Sequence, residues 1–393
     1  MKPNITPIGL ENAPDIMEAF QDAGNNALIE VRNYVTSPHT IKQPRTWGIN
    51  EAAKLIGTTP PTLRKYEEDN GEYPGLQKSD GNRKLYTLEA INYYRKALQK
   101  IFSRPAGTSP IVTAVTNFKG GCAKTTTAIH LAQKCAILGI KTLLIDLDPQ
   151  ATSTFICGGI IPDVELDYED TVAETLLLQP EKIKSIIKPS SFDGLDIIPS
   201  NLALQDLELS LPNFNLNNHE KLGSPALRLR NALKNLENDY DVVVIDCGPN
   251  LGILTINAIS AANAALIPIP PNMVDYASFV MLTRTLQKLL AATESDFDFF
   301  RVLLTKHSNS QEAMNVENMM RTIYGGYILA NSMCETVEIA KAASDIRSIY
   351  EVTKPRGSRE AYRRAILHLD NVNNEIIDSF KQVWEKQANR AEA

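Results

Sequence analysis

The chain is poor in cysteine, with five in 393 residues, and no two of them form a CxxC pair. Cys122, Cys135, Cys157, Cys247 and Cys334 are too scattered for a zinc site or a disulfide framework, so packed thiols are expected. No run of 18 apolar residues is present, and no secretory apolar region follows Met1. Those absences argue against a membrane span or a secretory leader and make the cytoplasm the expected compartment. Internal repeats are also missing. What is present is an ordinary globular composition, 43% hydrophobic and 22% charged, long enough for two or three domains.

The modest net charge of −6 conceals an asymmetry. Residues 41–104 hold twelve Lys or Arg against seven Asp or Glu, a balance of +5, which leaves −11 for the remainder. A basic module on an acidic body is expected to meet nucleic acid. The organisation read from pattern is an N-terminal tail and helix (1–40), a basic module (41–104), a Pro/Gly linker (105–110) and an alternating β/α body (111–393). In the body, strands are expected at 111–117, 141–147, 195–198, 241–246, 264–269 and 300–305. Helices are expected at about 127–138, 171–187, 226–237, 253–262, 277–292, 311–323 and 361–386. Such alternation predicts an α/β fold with a mostly parallel, doubly wound sheet covered on both faces.

The stretch TNFKGGCAKTTT, Thr116–Thr127, follows the apolar run IVTAV and leads into a helical pattern. Strand, glycine-rich loop and helix N-terminus together form a phosphate nest. The expected nucleotide-binding set is Lys119, Gly120, Gly121, Cys122, Ala123, Lys124, Thr125 and Thr126. Lys124 can reach the β- and γ-phosphates, and the Thr125 hydroxyl can ligate Mg²⁺. The pattern G-x-x-x-x-G-K-S/T does not fit, because Phe118 and Ala123 stand at its glycine positions. K-G-G-x-x-K-T-S/T fits, with Lys119 as a second lysine ahead of the glycines. A strand ending LLIDLDPQ supplies Asp146 and Asp148, and another ending VVVIDCGPN supplies Asp246. These carboxylates fall at strand C-termini, where doubly wound sheets bind ligands. Asp246 fits the role of holding Mg²⁺ through a water. The segments 268–275 and 305–309 are expected to wall the base.

This set of motifs resembles the deviant Walker A loop of the ParA/MinD class of ATPases. The resemblance implies that Lys119 crosses a dimer interface to the partner's nucleotide. It also implies that Asp148 positions or activates the attacking water, and that Asp146 lies in the outer shell of the metal. Most members carry glycine where this chain has Ala123.

In the basic module, INEAAKLI, Gly57 and a second helix entered through Thr59 and Pro60 read as helix-turn-helix. Thr62, Arg64 and Lys65 lie early in the second helix, and Arg83 and Lys84 in a short wing. All five are candidate DNA contacts. The stretch resembles the winged helix-turn-helix of MerR-type regulators. Near the C-terminus, KPRGSREAYRR at Lys354–Arg364, with Lys341 and Arg347 upstream, makes a second basic patch. Lys341, Arg347, Arg356, Arg359 and Arg363 are candidate contacts to DNA phosphates, without base reading.

Taken together, residues 45–393 resemble the plasmid partition ATPases of the ParA/SopA type. The resemblance implies a cycle of ATP and ADP with Mg²⁺, and a homodimer that coats nucleoid DNA nonspecifically. It further implies a centromere-binding ParB/SopB-type partner that stimulates hydrolysis, and operator-specific autorepression through the N-terminal module. No arginine near the motifs suits a finger in cis, so slow basal turnover is expected. One rival is a MinD-like membrane-associated positioning ATPase. The mixed polar face of the last helix argues against it, because a surface helix would be mainly basic there. The other is a transcription regulator that only senses ATP.

Overall fold

The computed structural model describes residues 13–36, 42, 44–79, 81–214, 223–308, 310–353 and 355–392. The expected tail 1–10, Asn309 and Lys354 lie outside them. Strands β4 (Ile111–Val115), β5 (Thr142–Asp146), β8 (Val242–Asp246) and β9 (Ala264–Ile269) are buried at every residue. Strands covered on both faces need unbroken apolar and β-branched sequence, which these four have. With β6 (Lys188–Pro189), β7 (Leu195–Ile198), β10 (Phe299–His307) and β11 (Met333–Cys334) they form one sheet, ordered β11-β10-β9-β4-β8-β5-β7-β6. Every pairing in it is parallel except that of β6 with β7. The register sets Asp146 of β5 directly opposite Asp246 of β8.

Several elements are shorter than periodicity suggests. The expected helix 171–187 stops at Leu177, and Pro180 opens a 3₁₀ turn instead, since proline has no N–H to continue the ladder. The 226–237 segment is helical only over Arg228–Leu233, with 3₁₀ turns on either side. The two-residue edge strands β6 and β11 and the helices Leu204–Phe214 and Val337–Ser344 carried no signal strong enough to read. The last helix runs Arg359–Glu392, and its stripe of Ile376, Ile377, Phe380, Val383 and Trp384 is buried, as a core-packing stripe should be.

The N-terminal helix α1 (Ala13–Thr36) touches the body through an Arg32–Glu165 ion pair. After it come β1 (Thr46–Gly48), α2 (Ile49–Ile56), α3 (Pro60–Asn70), β2 (Gln77–Lys78), β3 (Lys84–Thr87) and α4 (Leu88–Ala97). Gly57 ends α2 at φ +82°, a conformation that costs glycine nothing. The Thr59 side chain accepts from Thr62 N–H, and Pro60 occupies the first turn of α3. Strand β3 pairs antiparallel with both β1 and β2. Helix α4 ends at Ala97, where Gln99 turns to φ +54° and Lys100 N–H folds back onto Arg95 O.

A single buried cluster runs from Leu63, Tyr86 and Tyr94 of this module into Ile137 and Ile140 of the body, and on to Trp384. The segment 103–110 therefore joins two parts that share a core. The Trp384 indole donates to Ser109 O at 3.0 Å.

At the centre of that shared core, His130 Nδ1 lies 2.6 Å from Thr126 O. A carbonyl only accepts, so Nδ1 carries the proton, and Nε2 is left buried without a partner among the described residues. Burial pulls this imidazole down from 6.5 to about 4, against the weaker opposing pull of Thr126 O and Glu351. Between those two values the unfolded chain takes up a proton that the folded one refuses. Stability is therefore expected to fall by about 3 kcal/mol from this group as pH drops from 6.5 to 4. Denaturant midpoints against pH should be flatter for His130→Gln than for the parent; equal slopes would contradict this origin.

Candidate phosphate and metal site

Loop Thr116–Ala123 joins β4 to α5 (Lys124–Ile137) at the C-terminal edge of the sheet. Its base is fixed from two sides. Asn117 Nδ2 donates to Pro268 O at 2.8 Å near the end of β9, and the Thr305 hydroxyl of β10 donates to Cys122 O at 3.0 Å. Gly121 and Ala123 both adopt left-handed backbone, at φ +75° and +68°. The alanine thus keeps the conformation that a glycine would take, at a cost on the order of 1 kcal/mol. The first amides of α5 have no carbonyl to bond within the helix and are available to an anion. Lys124 is buried, its Nζ 3.1 Å from Lys119 O.

Beneath the loop, Asp146 and Asp246 are fully buried side by side. Asp146 Oδ2 accepts from the Thr154 N–H and hydroxyl, each at 2.8 Å, and its Oδ1 accepts from Asp148 N–H. Ser153 donates to Asp246 Oδ2 at 2.7 Å, and Asp246 Oδ1 is buried without a partner among the described residues. Burial pushes the Asp246 carboxyl up to about 7, with Asp148 adding repulsion and the Ser153 and Thr125 hydroxyls opposing. Burial and the charge of Asp246 push Asp146 well up too. Two buried carboxylates with one orphaned oxygen have their charge offset only in part by the Lys124 ammonium, and the Thr125 hydroxyl stands beside Asp246. A hard dication that keeps some waters and shares phosphate oxygens fits this donor set.

Strand β5 ends at Asp146, so Asp148 reaches the site from the following turn and not along a shared strand face. Its carboxylate is partly exposed, accepts from Gln150 N–H at 3.0 Å, and faces Gly248 in the turn after β8. Lys119 turns away from its own loop. Its ammonium pairs with Asp275 Oδ1 at 2.5 Å, and Asn272, the N-cap of the helix Met273–Thr293, holds that aspartate. Sequence reading did not single out Ser153, Thr154 or Asp275. Their signal was only positional: the first two follow the DxD turn, and Asp275 follows an Asn cap.

Cys122 donates to Lys119 O and is buried, and burial raises its thiol above the ordinary range, as expected of a packed and not a reactive cysteine.

The expected DNA contacts fall on two surfaces. Thr62, Arg64 and Lys65 are exposed on α3, and Arg64 shares a groove with Arg83 and Lys84. Lys84 is less free than the others, being paired with Glu67 at 2.5 Å and Glu72 at 2.9 Å. At the other surface Arg359 and Arg363 are exposed, Arg347 is half-buried, Lys341 pairs with Glu338 and Arg356 pairs with Asp345. No described helix is long and apolar enough to cross a membrane.

Comparison with known proteins bears on the whole of this architecture. The sequence model of the AAA domain family matches residues 111–299. A crystallised cobyrinic acid a,c-diamide synthase from Mycobacterium smegmatis, with bound ATP analogue and magnesium, is 30% identical at a TM-score of 0.50, covering 60% of this chain and 94% of that one. A structure described as a partition protein has the same fold over 92% of this chain and 99% of its own, with a TM-score of 0.64 at 22% identity. Protein SopA of Escherichia coli K12 is 36% identical over 360 residues, 89% of this chain and 92% of SopA. With that identity over so much of both chains, the chain belongs to the ParA/SopA family of plasmid partition ATPases.

Proposed function

We propose that this chain is a Mg²⁺-dependent ATPase whose ATP-bound homodimer coats nucleoid DNA nonspecifically to segregate a plasmid. The observation that carries the reading is the pairing of Lys119 with Asp275 outside its own loop. A lysine stored at the rim can meet a phosphate across an interface, and a ligand shifts an equilibrium only by binding one state better. Exposed Met273, Val274 and Met281 on the same helix, with Leu251 after Asp246, give that rim the apolar surface that a partner copy would cover.

In the chemical step, Lys124 and the α5 amides bind and orient the phosphates. Thr125 and Asp246 would hold Mg²⁺, with Asp146 behind them, and the metal offsets charge on the β- and γ-oxygens when bound. Asp148, at the open side, orients the attacking water. Phosphoryl transfer of this kind depends on electrostatic stabilisation, and two lysines with a metal are few charges. Basal turnover is accordingly slow, and a centromere-binding ParB/SopB-type partner accelerates it. The module 45–97 reads an operator as a winged helix-turn-helix, with α3 in the major groove and Arg83 on the wing, and so represses the chain's own transcription.

Phosphate release with and without the partner, beside footprinting on the DNA upstream of the chain's own coding sequence, tests both halves. Turnover of tens per second by the chain alone would refute the slow cycle, and no protected operator would refute the repressor half. The C-terminal patch has its own test. Neutralising Lys341, Arg359 and Arg363 together is expected to weaken binding to random duplex DNA and to lower its salt slope by up to about 3. The test is titration at several salt concentrations, and unchanged affinity would remove the patch from the interface.

A further inference from the structure

We infer that Arg95 and the Lys42–Glu351 pair are positioning residues that carry the state of the nucleotide site to the N-terminal module, so that operator binding depends on nucleotide through them. The inference rests on the operator reading above.

Arg95 of α4 is buried and makes no ion pair among the described residues. Its guanidinium instead joins two helix ends. Nε and Nη2 donate to Leu55 O, at 3.2 and 2.8 Å, in the last turn of α2. Nη2 also donates to Ile137 O at 2.6 Å, at the last residue of α5, and Nη1 donates to Asn92 Oδ1. A cation suits the negative end of a helix dipole, and here one cation serves two. The turn after α5 is shaped around it. Gly139 stands at φ +83°, and a Cβ there would lie 3.0 Å from Arg95 Nη1.

The opposite end of α5 is the phosphate loop. The helix is buried along nearly its whole length of roughly 20 Å. Close-packed interiors shift between discrete arrangements and do not absorb displacement. A change of α5 at the phosphates is thus felt at Arg95, and through Leu55 at the first helix of the DNA-reading pair.

A second tie starts from the metal side. Ser153 and Thr154 hold Asp246 and Asp146, and two residues on, Ile156 O accepts from Lys42 Nζ. That ammonium also pairs with Glu351 at 3.0 Å, and both side chains are about 5% exposed. Removing either partner would strand a buried charge. Arg45, just before β1, donates to Tyr350 O at 3.0 Å beside the same glutamate. The module is therefore held at one end by the phosphate helix and at the other by the turn that grips the metal-side carboxylates.

The test is operator affinity of the full chain with ATP, ADP or neither, for the parent, Arg95→Lys and Lys42→Met. Lysine keeps the charge at 95 but cannot fork to two helix ends. A parent ratio between nucleotide states of roughly 5–150-fold is expected, collapsing toward one in both variants while ATP turnover stays near the parent's, with a lowered thermal midpoint for Lys42→Met because Glu351 is left buried and unpaired. Amide exchange of the parent, without DNA, is expected to change over residues 53–57 and 92–97 when ATP and Mg²⁺ are added. Exchange indifferent to nucleotide there, or a responsive parent with an equally responsive Arg95→Lys, would overturn this inference alone. A parent whose operator affinity ignores nucleotide would overturn this inference alone, whereas a parent that protects no operator would overturn the operator reading, and this inference with it.

Discussion

Lys119→Ala is expected to keep measurable ATP binding and to lose ATP-dependent binding to random duplex DNA, with turnover down about a thousandfold or more. Lys124, the α5 amides and the Thr125–Asp246 pair are untouched by the change, so the nucleotide keeps its main contacts within the subunit. What disappears is a positive charge supplied from outside it. Charges supplied in trans to a phosphoryl group are worth roughly 10³–10⁵ in rate. Fluorescent-nucleotide titration beside DNA gel shifts would read both halves, and retention of ATP-dependent DNA binding would refute the role. The ion pair with Asp275 sets the resting state of this lysine. The ammonium is about a third exposed, and such pairs contribute about 1 kcal/mol or less, which a triphosphate outcompetes. Asp275→Asn should accordingly lower the ATP concentration needed for DNA binding, by up to about fivefold. A higher requirement would show that Asp275 supports the bound state instead.

Asp148→Ala is expected to separate binding from chemistry. Among the described residues the carboxylate accepts one hydrogen bond, from Gln150 N–H, and Thr154 holds Asp146 and Ser153 holds Asp246 without its side chain. Its loss should leave the fold, ATP binding and DNA binding in place. A group that orients or deprotonates the nucleophile is worth on the order of 10²–10⁴ in rate, so phosphate release should fall by about a hundredfold or more. The protein would then stay on DNA with ATP present, even with its partner. Turnover within a few-fold of the parent would move the role of Asp148 elsewhere.

Much of this site is legible in the residues. Gly120, Gly121, Lys124 and Thr125 announce a phosphate loop by spacing, and an apolar strand ending in Asp246 announces a metal carboxylate. Those patterns are local, and local patterns survive folding. The consequence of Ala123 is not local in that sense. Its left-handed backbone is imposed by the loop against the residue's own preference. Asp275 and Lys119 are 156 positions apart and meet only because β4 and β9 are neighbours in the sheet. The same holds for Arg95 with Ile137 and for Lys42 with Glu351. A buried charge that ends on carbonyls leaves no periodic trace. The two-residue strands and proline-broken helices were missed because their signal lies in tertiary pairing, not in a run of like residues.

The claim on which the cycle turns is that Lys119 serves the partner's nucleotide. Mixing Lys119→Ala with Asp148→Ala tests it directly, by phosphate release from each variant alone and from an equal mixture. In a mixed dimer, the Lys119→Ala subunit keeps its own Asp148 and receives Lys119 from its partner, so one site in that dimer is complete. Freely exchanging subunits should therefore recover roughly a quarter of the parent's turnover, by the statistics of a two-fold dimer. A mixture no more active than its two inactive components, under conditions where subunit exchange is demonstrated, would place Lys119 on its own nucleotide and contradict the account.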